Sequence, residues 1–295
     1  MYSMVPEKKV KNAVMICDKI VEDVRHLLEE ASKRALSEEL EAEIHENADE
    51  IALNSLNESG IGFLVLMKKK PDLKIETIEV GKEQDFAVII DTIDGSKNFV
   101  RGFPFYSFSY TLLDLKNLQI DSVIFSKVVN LYTGDSFWAH RGGGAFLNGK
   151  RIYVRKNKDL SRSVIGIDMN FEKKPYNEKL MNIIPKLLRL LSGRGDIRRL
   201  GTNAFEQCLV ASGALDMFLD LRGTQSILEI LPSKLIVEEA GGIVTDESGG
   251  IVTDERGHVL KGDIFERENT SAIFSSNISL VEQLLTLFRE KPEDT

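Results

Sequence analysis

The segment Ile89-Ile-Asp91-Thr-Ile93-Asp94-Gly95-Ser96-Lys97-Asn98-Phe99 decides how this chain is read. An apolar run that begins at Phe86 has the character of a buried strand and ends in two carboxylates three residues apart. A small Gly-Ser step follows, then residues that suit a helix. Aspartates at the carboxyl end of a strand can face one cleft, where a hard divalent cation finds the oxygen ligands it prefers. Helix onset at Gly95-Ser96 turns unpaired backbone N–H groups and the positive end of the helix toward an anion. Cation and phosphate then converge on one point, as metal-assisted phosphoryl chemistry requires. The alternative is that Asp91 and Asp94 cap a helix or close a turn, which Asp-x-x-Asp-Gly commonly does. Spacing alone leaves both readings open.

On the N-terminal side, Val10, Val14, Cys17, Val21, Val24 and Leu28 recur at three- and four-residue steps, predicting a helix over Glu7–Arg34. The acidic stretch Ala35–Glu46 reads as a loop or weak helix, and a second helix is expected from Asn47 to Leu56, stopped at Glu58-Ser-Gly60. Strand-like runs follow at Phe63–Met67, Phe86–Ile90, Phe105–Leu113 and Ser122–Val129. Asn148-Gly149 between Ala145–Leu147 and Arg151–Val154 marks a hairpin. Past Asp159 strands and helices alternate: strand Val164–Ile167, helix Leu180–Leu191, helix Ala204–Ala211, strand Ala214–Leu219 and a helix ending at Leu235–Ala240. The stretch Gly-Gly-Ile-Val-Thr-Asp-Glu at 241–247 recurs at 249–255, which suggests two paired strands. These periods give a mixed α/β (α+β) chain in two packed halves, 1–160 with antiparallel hairpins and 161–295 as an α/β unit, with the active site expected at their interface.

The 295 residues are 42% hydrophobic and 28% charged, which excludes a disordered chain, a collagen-like fibre and a disulfide miniprotein. With 46 acidic and 38 basic residues the formal charge is −8, so neither nucleic acid nor an anionic membrane is expected as a partner. Cys17 and Cys208 lie in apolar surroundings without CxxC spacing and read as reduced, buried thiols. No apolar run reaches about 18 residues, and the expectation is a cytoplasmic protein.

The segment around Asp91 resembles the Asp-Pro-Ile-Asp-Gly-Thr/Ser signature of the inositol monophosphatase family, whose archaeal branch also hydrolyses fructose 1,6-bisphosphate. The likeness continues through Asn98-Phe99, Gly102-Phe-Pro104-Phe105, Gly142-Gly-Gly-Ala-Phe-Leu-Asn-Gly149, Gly201–Asp216 and Leu235-Ile-Val-Glu-Glu-Ala-Gly-Gly242. It implies a layered α/β/α/β/α sandwich, a homodimer, and a Mg²⁺-dependent phosphomonoesterase, with Mn²⁺ as an alternative metal. It further implies that Asp91, the Ile93 carbonyl and Asp94 hold metal, that Ser96 orients the attacking water, and that phosphate rests on the N–H groups of Gly95 and Ser96.

Elsewhere the chain departs from that pattern. Thr92 stands where the signature has proline. Glu229 falls at the late metal-binding aspartate, one methylene longer, or is a surface helix residue; Pro232 just after it is expected to bend or end that turn. Where a ligand glutamate closes the preceding strand, this chain has Lys68-Lys-Lys70. Either Glu76 or Glu79 supplies the missing carboxylate, or an ammonium takes a metal's place, or the lysines are solvated. The water-activating aspartate of the second helix aligns with His45, a base near neutral pH or an incidental histidine, with Asp49 one turn later. Asp220-Leu-Arg222 resembles a substrate-binding Asp-x-Arg, in which Arg222 forks onto phosphate or else makes a surface salt bridge. Two functions follow: a phosphomonoesterase acting on a small sugar or polyol phosphate (inositol monophosphate, fructose 1,6-bisphosphate), or a catalytically silent relative that binds a phosphorylated ligand as sensor or subunit.

Overall fold

The computed structural model describes residues 7–34, 37–69, 74–115, 118, 122–169, 178–245 and 270–289. The chain starts with two long helices, α1 (Glu7–Ala31) and α2 (Glu38–Glu58). Helix α2 begins nine residues before the expected start. Ser37 caps it, its side chain accepting from the Leu40 N–H at 3.2 Å, and Leu40, Ile44, Ala48, Ala52 and Leu56 form a buried stripe at four-residue steps. The acids that made this stretch look loop-like occupy its other faces.

Eight strands then build one sheet: β1 (Phe63–Lys69), β2 (Lys74–Val80), β3 (Phe86–Asp94), β4 (Ser107–Asp114), β5 (Val123–Asn130), β6 (Ser136–His140), β7 (Gly144–Leu147) and β8 (Lys150–Ile152), with a short helix α3 (Ser96–Val100) between β3 and β4. Their order is β2-β1-β3-β4-β5-β6-β7-β8, antiparallel apart from the β1–β3 pair. Asn148 and Gly149 close the β7–β8 hairpin with φ of 50° and 76°, the two positive values a type I′ turn needs.

A second, five-stranded sheet runs β10-β9-β11-β13-β12, formed by β9 (Val164–Ile167), β10 (Asp196–Arg198), β11 (Met217–Gln225), β12 (Ile243–Thr245) and β13 (Thr270–Ser275). Its helices are α4 (Glu178–Leu191), α5 (Asn203–Ala211), α6 (Ile227–Glu239) and α7 (Ile278–Arg289). The first copy of the Gly-Gly-Ile-Val-Thr repeat forms β12 and pairs with β13; the second copy lies outside the described residues.

Three apolar cores define the layers. One joins α1 and α2 to one face of the large sheet through Ile20, Val24, Phe63, Val88 and Phe108. A second packs α5 and α6 between the sheets, with Leu66 and Ile89 on one side and Phe218 and Phe274 on the other. The third seats α4 and α7 on the outer face of the small sheet. The result is an α/β/α/β/α sandwich. Helix α6 passes through Pro232 without ending there. Proline's fixed φ is a helical value and costs one backbone bond, while Leu228, Ile230, Leu231, Leu235 and Ile236 around it are all buried. Cys17 and Cys208 are buried free thiols. Among the described residues no helix is long and apolar enough to cross a membrane.

Candidate active site

The end of β3 is irregular in a way that creates the site. Asp91 pairs with Ser109 and Asp94 with Ser107, so three residue steps on β3 oppose two on β4. In an unbroken strand Asp91 and Asp94, an odd number apart, face opposite sides; the bulge re-aims the second toward the first. Ile93 fills the α1–α2 core, and Thr92 Oγ1 donates to Asp49 Oδ1 at 2.8 Å, fastening α2 to the bulge.

Asp94 Oδ2 accepts from Thr202 Oγ1 at 3.0 Å and from the Ala204 N–H at 2.9 Å. Asp94 therefore does cap a helix, but it is α5, from the other half of the chain, and not the α3 that follows it. Such a cap contributes about 1 kcal/mol and places the carboxylate at the positive helix end. Gly95 follows with φ +84°, and a Cβ there would lie 3.0 Å from the Gly201 carbonyl oxygen and 3.1 Å from both the Phe105 carbonyl oxygen and Thr202 Cβ. Only glycine meets both demands. Asn98 Nδ2 donates to the Phe105 carbonyl at 2.6 Å and the Leu200 carbonyl at 2.7 Å. Glu206 holds the same loop from the opposite side, accepting the Leu200 and Gly201 N–H groups at 2.9 and 2.8 Å. Burial raises the Glu206 carboxyl to about 7 against the pull of those N–H groups.

Ser96 is buried, and its Oγ donates to Glu41 Oε1 at 2.7 Å. The side chain at the Ser96 hydroxyl is Glu41, one helical turn before His45, the residue expected there as a base. Because α2 starts at residue 38, it reaches Ser96 with Glu41 and Thr92 with Asp49, and His45 lies between them on the same face. Sequence reasoning does not single out Glu41, because its segment reads as a loop or weak helix; the available signal is the four-residue spacing Glu41, His45, Asp49.

Glu229 and Lys68 meet across elements. Lys68 Nζ lies 2.7 Å from Glu229 Oε1, the two side chains being 21% and 28% exposed. Glu229 Oε2 accepts the Ser226 N–H at 2.8 Å, the back half of a capping box at the start of α6. Glu229 is thus no plain surface residue, and Lys68 is no solvated loop lysine; it belongs to β1, and Lys70 lies outside the described residues. Glu76 is elsewhere. It sits exposed on the edge strand β2 opposite Met67, whose side chain packs toward α1 and α2, the face away from Asp91 and α6. The expectation of Glu76 as a ligand is corrected on that ground; Glu79 is likewise exposed on β2.

Asp220 is fully buried, and its Oδ1 and Oδ2 accept from Arg222 Nε at 2.9 Å and Nη2 at 2.6 Å. Asp168 Oδ2 lies 2.7 Å from the same Nη2. The expected Asp220 contact to substrate gives way to a structural one: its carboxylate is spent on Arg222. That pair is a buried bridge rather than a surface one.

The Asp91 carboxyl is pushed up to about 6, first by burial, then by the nearby Glu229 charge, against the pull of Lys68. Asp94 is raised well above the usual range by burial and by Asp91. Two crowded carboxylates with the Ile93 carbonyl between them are hard oxygen donors whose mutual repulsion a divalent cation relieves, so the donor set fits Mg²⁺ or Mn²⁺. Among the described residues no three His, Cys, Asp or Glu side chains form a ready-made cage. Water and substrate phosphate would complete the coordination, as is usual for Mg²⁺.

Known proteins resemble this chain in sequence and in fold. The model of the inositol monophosphatase family matches residues 7–288. A fructose-1,6-bisphosphatase/inositol-1-monophosphatase of Methanothermobacter thermautotrophicus is 31% identical over 242 residues, 81% of this chain and 79% of that protein. A Nus factor SuhB of Vibrio cholerae is 33% identical over 165 residues, 56% of this chain and 58% of its own. The crystal structure of the extragenic suppressor protein suhB from Bartonella henselae superposes with a TM-score of 0.71 at 24% identity, covering 96% of this chain and 99% of that one. Fold and site thus define a metal-dependent phosphatase of the phosphoric monoester hydrolase class. The chain belongs to the inositol monophosphatase family.

Proposed function

We propose that this protein hydrolyses a small sugar or polyol phosphate, inositol monophosphate or fructose 1,6-bisphosphate, with Mg²⁺ or Mn²⁺ held by Asp91, Asp94 and the Ile93 carbonyl. The observation that carries the reading is the Ser96–Glu41 hydrogen bond, 2.7 Å long, set one residue past the Asp94–Gly95 turn. When bound, the divalent cation neutralises phosphoryl oxygens and lowers the pKa of a coordinated water. The residues supply the rest. Glu41 accepts the Ser96 proton, which leaves a Ser96 lone pair to take a proton from the attacking water and orient it in line with phosphorus. The N–H groups of Gly95 and Ser96, at the first turn of α3, receive the phosphate. Arg222, held rigid by Asp220 and Asp168, stands near Glu229 and presents a fixed positive charge to the substrate side. Residues 1–160 contribute Glu41, Asp91, Asp94 and Ser96, and residues 161–295 contribute Thr202, Arg222 and Glu229, so the halves meet at the site. A homodimer in the cytoplasm is the setting that family membership favours.

Lys68 favours the second reading, a phosphate-ligand sensor, since it puts a cation beside Asp91 and Glu229. Phosphate release from inositol 1-phosphate and from fructose 1,6-bisphosphate, with Mg²⁺, Mn²⁺ or EDTA, separates the two. Metal-dependent release that Asp94→Asn abolishes establishes the phosphatase. Ligand binding without release under either metal would instead establish the sensor.

A further inference from the structure

The position of Lys68 follows from the sheet. β1 runs parallel to β3, with Leu66 beside Ile89 and Met67 beside Ile90, so Lys68 emerges on the face that carries Leu66 and Ile89, next to Asp91. Helix α6 starts over that face and brings Glu229 to it. The two oxygens of Glu229 are both engaged, one by the Lys68 ammonium and the other by the Ser226 N–H. A protonated lysine has three N–H donors and no lone pair, so it cannot be a metal ligand. It can only do what a metal does electrostatically, which is to neutralise acids and attract phosphoryl oxygens. The other cation nearby, Arg222, is bonded to Asp168 and Asp220 and adds its charge to the field at Glu229, while the Lys68 ammonium lies 2.7 Å from a Glu229 oxygen.

We propose that the Lys68 ammonium is a built-in cation that takes the place of one divalent ion at the Glu229 corner, so that Glu229 is withheld from metal and the site loads one ion fewer than its carboxylates would otherwise accept. This rests on the phosphatase reading above. In it, Asp91 and Asp94 hold exchangeable metal, while the Lys68 ammonium offsets the Glu229 charge in a way that chelators cannot remove. The pair is only partly exposed, so its Coulomb attraction is less screened than that of a surface pair, and Lys68 stands beside Asp91 with one of its three donors committed to Glu229.

The test is metal stoichiometry, read by equilibrium dialysis of the full chain against Mn²⁺ at neutral pH, with circular dichroism to establish folding. Lys68→Glu should bind one more Mn²⁺ per chain than the wild type, because it removes the competing ammonium and adds a ligand. Lys68→Met frees Glu229 without adding an acid, and should show the same gain if the glutamate variant fails to fold. The double variant Lys68→Gln/Glu229→Gln removes the neutral pair together and should keep the wild-type number. No gain in either single variant, or loss of an ion in the double variant, overturns the proposal, since Glu229 would then have been a metal ligand all along. Asp94→Asn reports on the underlying reading. Should the wild type bind no Mn²⁺, matching that variant, the phosphatase reading falls and this inference with it.

Discussion

At the Asp94–Ser96 end of the site, β3, α2, α5 and the loop before α5 are tied by hydrogen bonds from Thr92, Ser96, Asn98, Thr202 and Ala204. At the other corner, the ion pair Lys68–Glu229 joins β1 to α6. The first end is over-determined: removing one bond leaves others in place. The second is joined by an ion pair between two long side chains, and it is there that a charge of the opposite sign stands among the acids. A site built this way can alter its complement of cations without disturbing its phosphate cradle. On the proposed function, phosphate recognition relies on backbone geometry and metal loading on side-chain charge.

The largest effect is expected where the tied end does chemistry. Glu41→Gln keeps the shape of the Ser96 partner but removes the proton acceptor. A general base contributes roughly 10²–10⁴-fold, so kcat should fall by that factor with KM little changed. His45→Gln should stay within about a factor of 10 of wild type, as expected for a residue beside the reacting pair rather than in it. Equal losses in both variants would break the assignment of Glu41 and return His45 to the mechanism.

Next is pH, which sharpens the contrast between exchangeable and built-in cations. The Asp91 carboxyl is raised to about 6, because burial and Glu229 oppose its ionisation. Cation binding needs the ionised form, so Mn²⁺ affinity should fall about tenfold per unit as pH drops below that value. The sign for metal-free stability is opposite. A group whose folded pKa lies above its unfolded one stabilises the fold fully at pH below the usual carboxylate value, and loses that contribution as pH rises through about 6. Mn²⁺ should therefore raise the melting temperature more at pH 7 than at pH 5. A metal-induced shift that does not vary between those two pH values would show that Asp91 does not govern loading.

Gly95→Ala probes the cradle itself. The φ of +84° and the close approach of two carbonyl oxygens make strain of about 1–3 kcal/mol the expected cost, visible as a lower melting temperature. Lys68→Met, at the loosely held corner, should change melting by less. The reverse order would mean that the ion pair, not the cradle, is the rigid part.

How much of this was legible follows the same division. The two aspartates, the glycine and Ser96 are local features, and a single segment of sequence carries them; the bulge that aims both aspartates at one cleft shows only in the pairing with β4. The Asp94–α5 cap joins residues 110 apart, the Lys68–Glu229 pair residues 161 apart, and the Ser96–Glu41 bond crosses from α2 to α3, so nothing in the local pattern announces them. Glu76 misled because its distance before Asp91 was plausible along the chain; strand β2, at the sheet edge, puts its side chain on the wrong face. Glu41 is not legible locally because an acid-rich helix with apolar residues only every fourth position looks like a loop until its buried stripe is placed against a sheet.

A small effect on activity should come from Thr92→Val. The hydroxyl of Thr92 donates to Asp49, a buried acid of α2, and valine leaves that acid short of one donor in nearly the same volume. A buried carboxylate that loses a hydrogen bond costs about 1–3 kcal/mol, which thermal denaturation would register. Activity should drop no more than about tenfold, because Ser96–Glu41 continues to hold α2 against α3, and second-rank contacts of this kind usually cost 10- to 100-fold at most. If instead Thr92→Val removes activity as completely as Glu41→Gln, then Glu41 reaches Ser96 only because Asp49 holds the helix in register. The tied end would then be a single chain of contacts rather than a redundant mesh, and its contrast with the ion-pair corner would disappear.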